Sequence, residues 1–105
     1  MNKEQQNVLN DAINYYEKMP QTIKAIEEMA ELTKALAKAH TSVSNGTYDE
    51  FTKAKEEILE EKADVYIMLA QLDMIFGESN HYIDEKIERL RQRMNETQAG
   101  SDGSV

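Results

Sequence analysis

Apolar residues recur along the chain at helical spacing, and the pattern resolves into four segments. The first runs roughly from Lys3 to Met19. Val8, Ala12, Tyr15 and Met19 form one stripe, with Leu9, Ile13 and Tyr16 beside it. Pro20 breaks or kinks the path and suits the first turn of a second helix, about Gln21 to Ser42. Met29, Leu32, Leu36 and Val43 cluster on the wheel of that helix as its expected core face. Asn45-Gly46 is a turn signal, and Ser44, Thr47 and Asp49 are candidate caps, with Thr47 and Glu50 in capping-box spacing. A third helix is expected from about Tyr48 to Phe76, stopped by Gly77. Its apolar arc holds Val65, Met68, Leu69, Leu72 and Ile75. Ser79 or Asn80 then caps a fourth helix, about His81 to Thr97, with Ile83, Ile87, Leu90 and Met94 on one face.

No segment has the period of a strand, so an all-α fold is expected: a four-helix bundle-type protomer. It forms one domain, residues 1–97, followed by a Gly/Ser-rich tail, 98–105, expected to be disordered. The third helix is apolar on nearly every side, since Ala63, Ile67, Ala70 and Met74 lie opposite its main stripe. A helix apolar all round is buried all round. A chain this short has little core to bury it in, so the helices are expected to pack into an intersubunit bundle.

Charge narrows the partners. The chain carries 12 basic and 20 acidic residues, a net −8. Such a surface repels phosphate backbones, which argues against nucleic acid and anionic membranes as general partners. There is no cysteine, hence no disulfide framework and no thiolate metal site. The longest apolar run, residues 63–70 with only Asp64 interrupting, is far too short to span a bilayer. Met1 to Asn10 is polar and does not read as a secretory leader, so a cytoplasmic protein is expected.

The acidic residues are placed against the helical pattern. On the third helix Glu61 falls at about 340°, inside the arc set by Val65 and Met68, and Asp64 at about 280°, at its edge. On the second helix Glu28 lies at the edge of the expected arc and Glu31 a little further round. Burying an ionised carboxylate without a partner is costly, so a cation, an ion pair or protonation must offset it. Glu28 and Glu31 are one turn apart, as are Glu61 and Asp64. If the second and third helices form an antiparallel hairpin turning near Gly46, residues at one level have numbers that sum to about 92. Glu31 with Glu61, and Glu28 with Asp64, then face each other in a carboxylate square. An all-oxygen set favours Mg²⁺, with Mn²⁺ as a substitute, over zinc or iron. His40 and His81 lie near helix ends and read as surface residues.

The run Glu27-Glu28-x-x-Glu31, followed by Glu61-x-x-Asp64, resembles the signature of the MazG-like all-α nucleoside triphosphate pyrophosphohydrolases. The resemblance covers roughly Gln21 to Arg93. Related enzymes are dimeric dUTPases, dCTP pyrophosphatases and phosphoribosyl-ATP pyrophosphohydrolases. It implies that Glu28, Glu31, Glu61 and Asp64 hold Mg²⁺ on a nucleoside triphosphate. It also implies that water attacks the α-phosphorus, giving the monophosphate and pyrophosphate in a nucleotide-pool, house-cleaning role. Glu27 either orients a metal ligand or accepts a proton from water, or is a solvated charge on the outer side of its helix. Members form helical-bundle dimers, or tetramers of dimers, so a homodimer or homotetramer is implied. The gap of 29 residues between Glu31 and Glu61 is at the long end for the family and weakens assignment to one subfamily.

Substrate contacts are sought among the cations. Lys86, Arg89 and Arg93 line one flank of the fourth helix's apolar stripe, and Arg89 and Arg93 are spaced to clamp a phosphate chain. Lys24 and Gln21 lie N-terminal to the acidic motif on the same side. Tyr15, Tyr16 and Tyr66 are the aromatics available to stack on a base. The alternatives are phosphoribosyl-ATP hydrolysis and, in a different class, a non-catalytic helical interaction module.

Overall fold

The computed structural model describes residues 1–96, with only the backbone described at residues 42–45. Thr97 and the expected tail, 98–105, lie outside the described residues. Four α-helices follow in order: α1 (Lys3–Tyr16), α2 (Lys18–Asn45), α3 (Tyr48–Phe76) and α4 (Asn80–Glu96). No strand occurs among the described residues, and the all-α expectation holds.

Local signals set most of the ends. The Gln5 amide N–H donates to Asn2 Oδ1 at 2.8 Å and the Asn2 amide N–H donates to Gln5 Oε1 at 2.9 Å, a reciprocal cap that starts α1. The break after α1 falls at Glu17, not at Pro20. Glu17 has φ 75° and its N–H donates to the Ile13 carbonyl. Pro20 is the third residue of α2, within the first turn, where a missing N–H leaves no intrahelical bond unmade. Thr47 Oγ1 accepts from the Glu50 amide at 3.2 Å and caps α3. Gly77, with φ 108°, ends it in a conformation that only glycine adopts without strain.

α2 and α3 form a long antiparallel hairpin, and α1 packs across both. Gln21 and Gln71 share a hydrogen bond of 2.9 Å, and 21 + 71 gives the expected 92. The interface is lined by small side chains: Ala25, Ala35 and Ala39 of α2 and Ala54 of α3 are buried, with Met68. Small residues let two helix backbones approach closely, and this rotates α2 away from the expected face. Leu36 is 50% exposed and Met29 40%. The arc of buried and half-buried residues, Gln21, Ala25, Glu28, Leu32, Ala35 and Ala39, is centred about 60° round the wheel from the arc of large apolar residues. Val43 falls where no side chain is described.

The protomer's bundle holds three of the four helices. Among the described residues α4 packs against none of the others, and its Ile83, Ile87 and Met94 stripe is open. The four helices of the expected all-α protomer are present, with Gly77 at the turn between α3 and α4.

Candidate metal centre

Rotation of α2 moves Glu28 from the edge of a face to its middle. Its carboxylate, Glu61 and Asp64 bring one oxygen each within 4.8 Å of one another. Glu28 and Glu61 are half-buried in the seam and Asp64 is exposed at its lip. Partial burial pushes the Glu61 carboxyl up from its ordinary value, and the charges of Asp64, Glu31, Glu28 and Glu60 add to that. Repulsion of this kind, with only oxygen donors and no histidine in the set, suits a hard divalent cation. Two oxygens on opposite sides of one Mg²⁺ stand about 4.2 Å apart. The observed spread therefore fits one ion, or a bridged pair, after small rotations about the side-chain bonds.

Glu31 is exposed, but it borders the same space. With Lys34, Ala35, Lys38, Glu57 and Glu61 it lines a groove of about 210 Å³ that opens beside the three acids. Glu27 is exposed on the outer side of α2 and faces away from the seam. Lys24 reaches Glu28 at 3.5 Å, which keeps one ammonium at the edge of the centre.

The other expected contacts are placed elsewhere. Gln21 is in the core, 7% exposed, its amide nitrogen donating to Gln71 Oε1. Gln71, 2% exposed, donates in turn to the Leu9 carbonyl at 3.2 Å. The pair locks α1, α2 and α3 together two turns from Glu28, which is a structural position. Lys86, Arg89 and Arg93 are on α4 and are not brought to the acids within one chain. Tyr15 and Tyr16 are exposed and contact each other edge to face at 4.8 Å. Tyr66 is exposed on α3, with Lys62 5.9 Å over its ring. His81 pairs with Glu85 at 3.3 Å on the surface.

Lys34 and Lys38 are the cations that sequence reasoning missed. They follow Glu31 by one and two turns, so the signal was present. It is the same signal that any solvated lysine on a helix gives. Against protein-family models, curated proteins and solved structures, the chain finds no match.

Proposed function

We propose that the chain is a Mg²⁺-dependent nucleoside triphosphate pyrophosphohydrolase that acts on the cytoplasmic nucleotide pool. The observation that supports this most is the convergence of Glu28, Glu61 and Asp64 within 4.8 Å across the α2–α3 seam. Acids that crowd one another at a half-buried position cost stability and give a scaffold nothing in return. Glu31, one turn from Glu28, completes the motif at the groove's edge.

When bound, Mg²⁺ supplies charge neutralisation for the phosphates and polarisation of the α-phosphoryl group. The chain's residues then do the positioning. Glu28, Glu61 and Asp64 would hold the cation, and through it the α-phosphate, at the seam, with Glu31 at the edge of the groove. Water adds to the α-phosphorus and the bridge to the β-phosphorus breaks. The products are a nucleoside monophosphate and pyrophosphate, with the water proton released to a carboxylate or to solvent.

The same reading includes a second copy of the chain, as a homodimer or homotetramer. What supports it is the surface. No large side chain among the described residues is fully buried, while Leu36, Leu69, Ile83 and Ile87 are all open.

Pyrophosphate release from a panel of ribo- and deoxyribonucleoside triphosphates and phosphoribosyl-ATP, each with and without Mg²⁺, tests the activity. Metal-dependent release from one or a few of them is expected. Release from none, by a folded protein that binds Mg²⁺, would leave a non-catalytic helical binding module as the better reading.

A further inference from the structure

The substrate's direction along the seam follows from where the cations are. From the acid centre the seam runs two ways. Toward the α2–α3 turn, Lys34 and Lys38 line the groove that Glu31 and Glu61 also border. Lys38 and Glu57 then line a second groove of about 250 Å³, with Lys53 on its wall. A continuous track therefore leads from the carboxylates past three ammonium groups. In the other direction Lys24 is engaged by Glu28. Beyond it the seam closes over the neutral amides of Gln21 and Gln71, which are spent on each other and on Leu9.

We propose that the β- and γ-phosphates lie over Lys34 and Lys38, so that the polyphosphate tail points to the α2–α3 turn and the nucleoside to the Gln21–Gln71 end. This deepens the pyrophosphohydrolase reading and rests on it. With the α-phosphate at the carboxylates, the leaving diphosphate must take one of two directions; one offers Lys34, Lys38 and Lys53 in succession, the other only Lys24, which is held by the centre's own Glu28. Lys34 and Lys38 are one turn apart, about 6 Å along the helix, a spacing that the oxygens of two adjacent phosphates can bridge. Lys34 has no ion pair among the described residues. Lys38 meets Glu57 at 3.4 Å, the lysine exposed and the glutamate half-buried, and a pair open to solvent on one side is weak and exchangeable. Phosphate oxygens accept stronger, charge-assisted hydrogen bonds from the same ammonium. The acids that remain along the track, Glu57 and Glu50, would repel a bare polyphosphate. The tail is therefore expected to enter as its magnesium complex.

Calorimetric titration of the full chain with pyrophosphate, in Mg²⁺, tests the polarity. Titration with the nucleoside monophosphates runs in parallel. Lys34→Ala and Lys38→Ala are each expected to weaken pyrophosphate binding about tenfold and to leave monophosphate binding within about twofold. Both lysines are exposed, so the variants should keep the wild-type helical content and melting temperature, which circular dichroism checks. Wild-type-like pyrophosphate binding by both variants would overturn the proposal. So would an equal loss for pyrophosphate and monophosphate, which would mean a diffuse charge effect. Absence of any Mg²⁺-dependent pyrophosphate binding by the wild type would overturn it too. The activity itself is decided separately, by the turnover panel.

Discussion

Glu61 serves two opposed ends. It sits half-buried in the seam, and its surroundings push its carboxyl up from the ordinary 4.5, burial first and the neighbouring acids after it. A carboxyl whose folded-state pKa exceeds its unfolded one favours folding while protonated, and that contribution is lost as pH rises through the folded-state value. Without divalent cations the chain is therefore expected to lose stability as pH climbs from about 4.5. Mg²⁺ held as proposed would bind the ionised form and should reverse the slope. Thermal melts from about pH 4 to about pH 8, with and without Mg²⁺, read this directly. Glu61→Gln should flatten the metal-free profile and raise the melting temperature at neutral pH. It should also remove the Mg²⁺ effect and cut turnover at least about 100-fold. A Gln variant that responds to Mg²⁺ as the wild type does would take Glu61 out of the centre. Glu61 was legible in the sequence because a charge inside an otherwise apolar arc is conspicuous. Lys34 and Lys38 were not, because nothing in a one-dimensional pattern separates a lysine beside a groove from one in bulk solvent.

The helices hold the site by close approach and by one polar lock. Ala35 is buried at the level of Glu57, just turnward of the acids. Ala35→Leu must push α2 from α3, at a cost of about 1–3 kcal/mol. It should weaken Mg²⁺ binding as well, because Glu28 and Glu61 move apart. Urea denaturation and metal titration measure the two effects, and an unchanged metal affinity would mean that the seam's width does not set the site. The lock is Gln71, which joins Gln21 to the α1 carbonyl of Leu9. Gln71→Ala strands the buried Gln21 amide, a loss of about 1–3 kcal/mol. Hydrogen exchange should rise in α1 while the middle of α2 and α3 stays protected; a uniform rise would deny α1 its separate attachment. The bounds of α3 and the register of the hairpin could be read from caps, a turn signal and a constant sum of residue numbers. The face of α2 could not. Its contact surface is built from alanines, and a pattern weighted by large apolar residues points to Met29 and Leu36, which the close approach turns outward. The detachment of α4 was equally invisible, since an amphipathic helix looks the same whether its partner lies in its own chain or in another.

A compact chain of 12.0 kDa exposes about 6,000 Å², and this one exposes 8300 Å². The excess is about 2,000 Å² for the whole chain. Its radius of gyration is 17.5 Å, against about 13 Å for a compact domain of this length. The excess is apolar in large part. Leu32, Val65, Tyr66 and Leu69 border a groove between α2 and α3, and Met29 and Leu36 stand exposed along the same helix pair. Covering about 1,000 Å² of such a face on each of two copies would bury about 2,000 Å², the lower end of the obligate homodimer range. The stripe on α4 needs cover of its own, and Lys86, Arg89 and Arg93 would approach a set of acids only in an assembly. Light scattering should therefore give twice or four times 12.0 kDa. The melting temperature should rise with protein concentration, as it does when folding and association are linked. Leu36→Glu combined with Leu69→Glu places charges on the open face without touching the acids. The pair should shift the mass toward the single chain and lower stability by about 1–3 kcal/mol per site. A wild type that scatters as one 12.0 kDa chain and melts independently of concentration would end the case for a second copy. The exposed leucines would then need another partner to explain them.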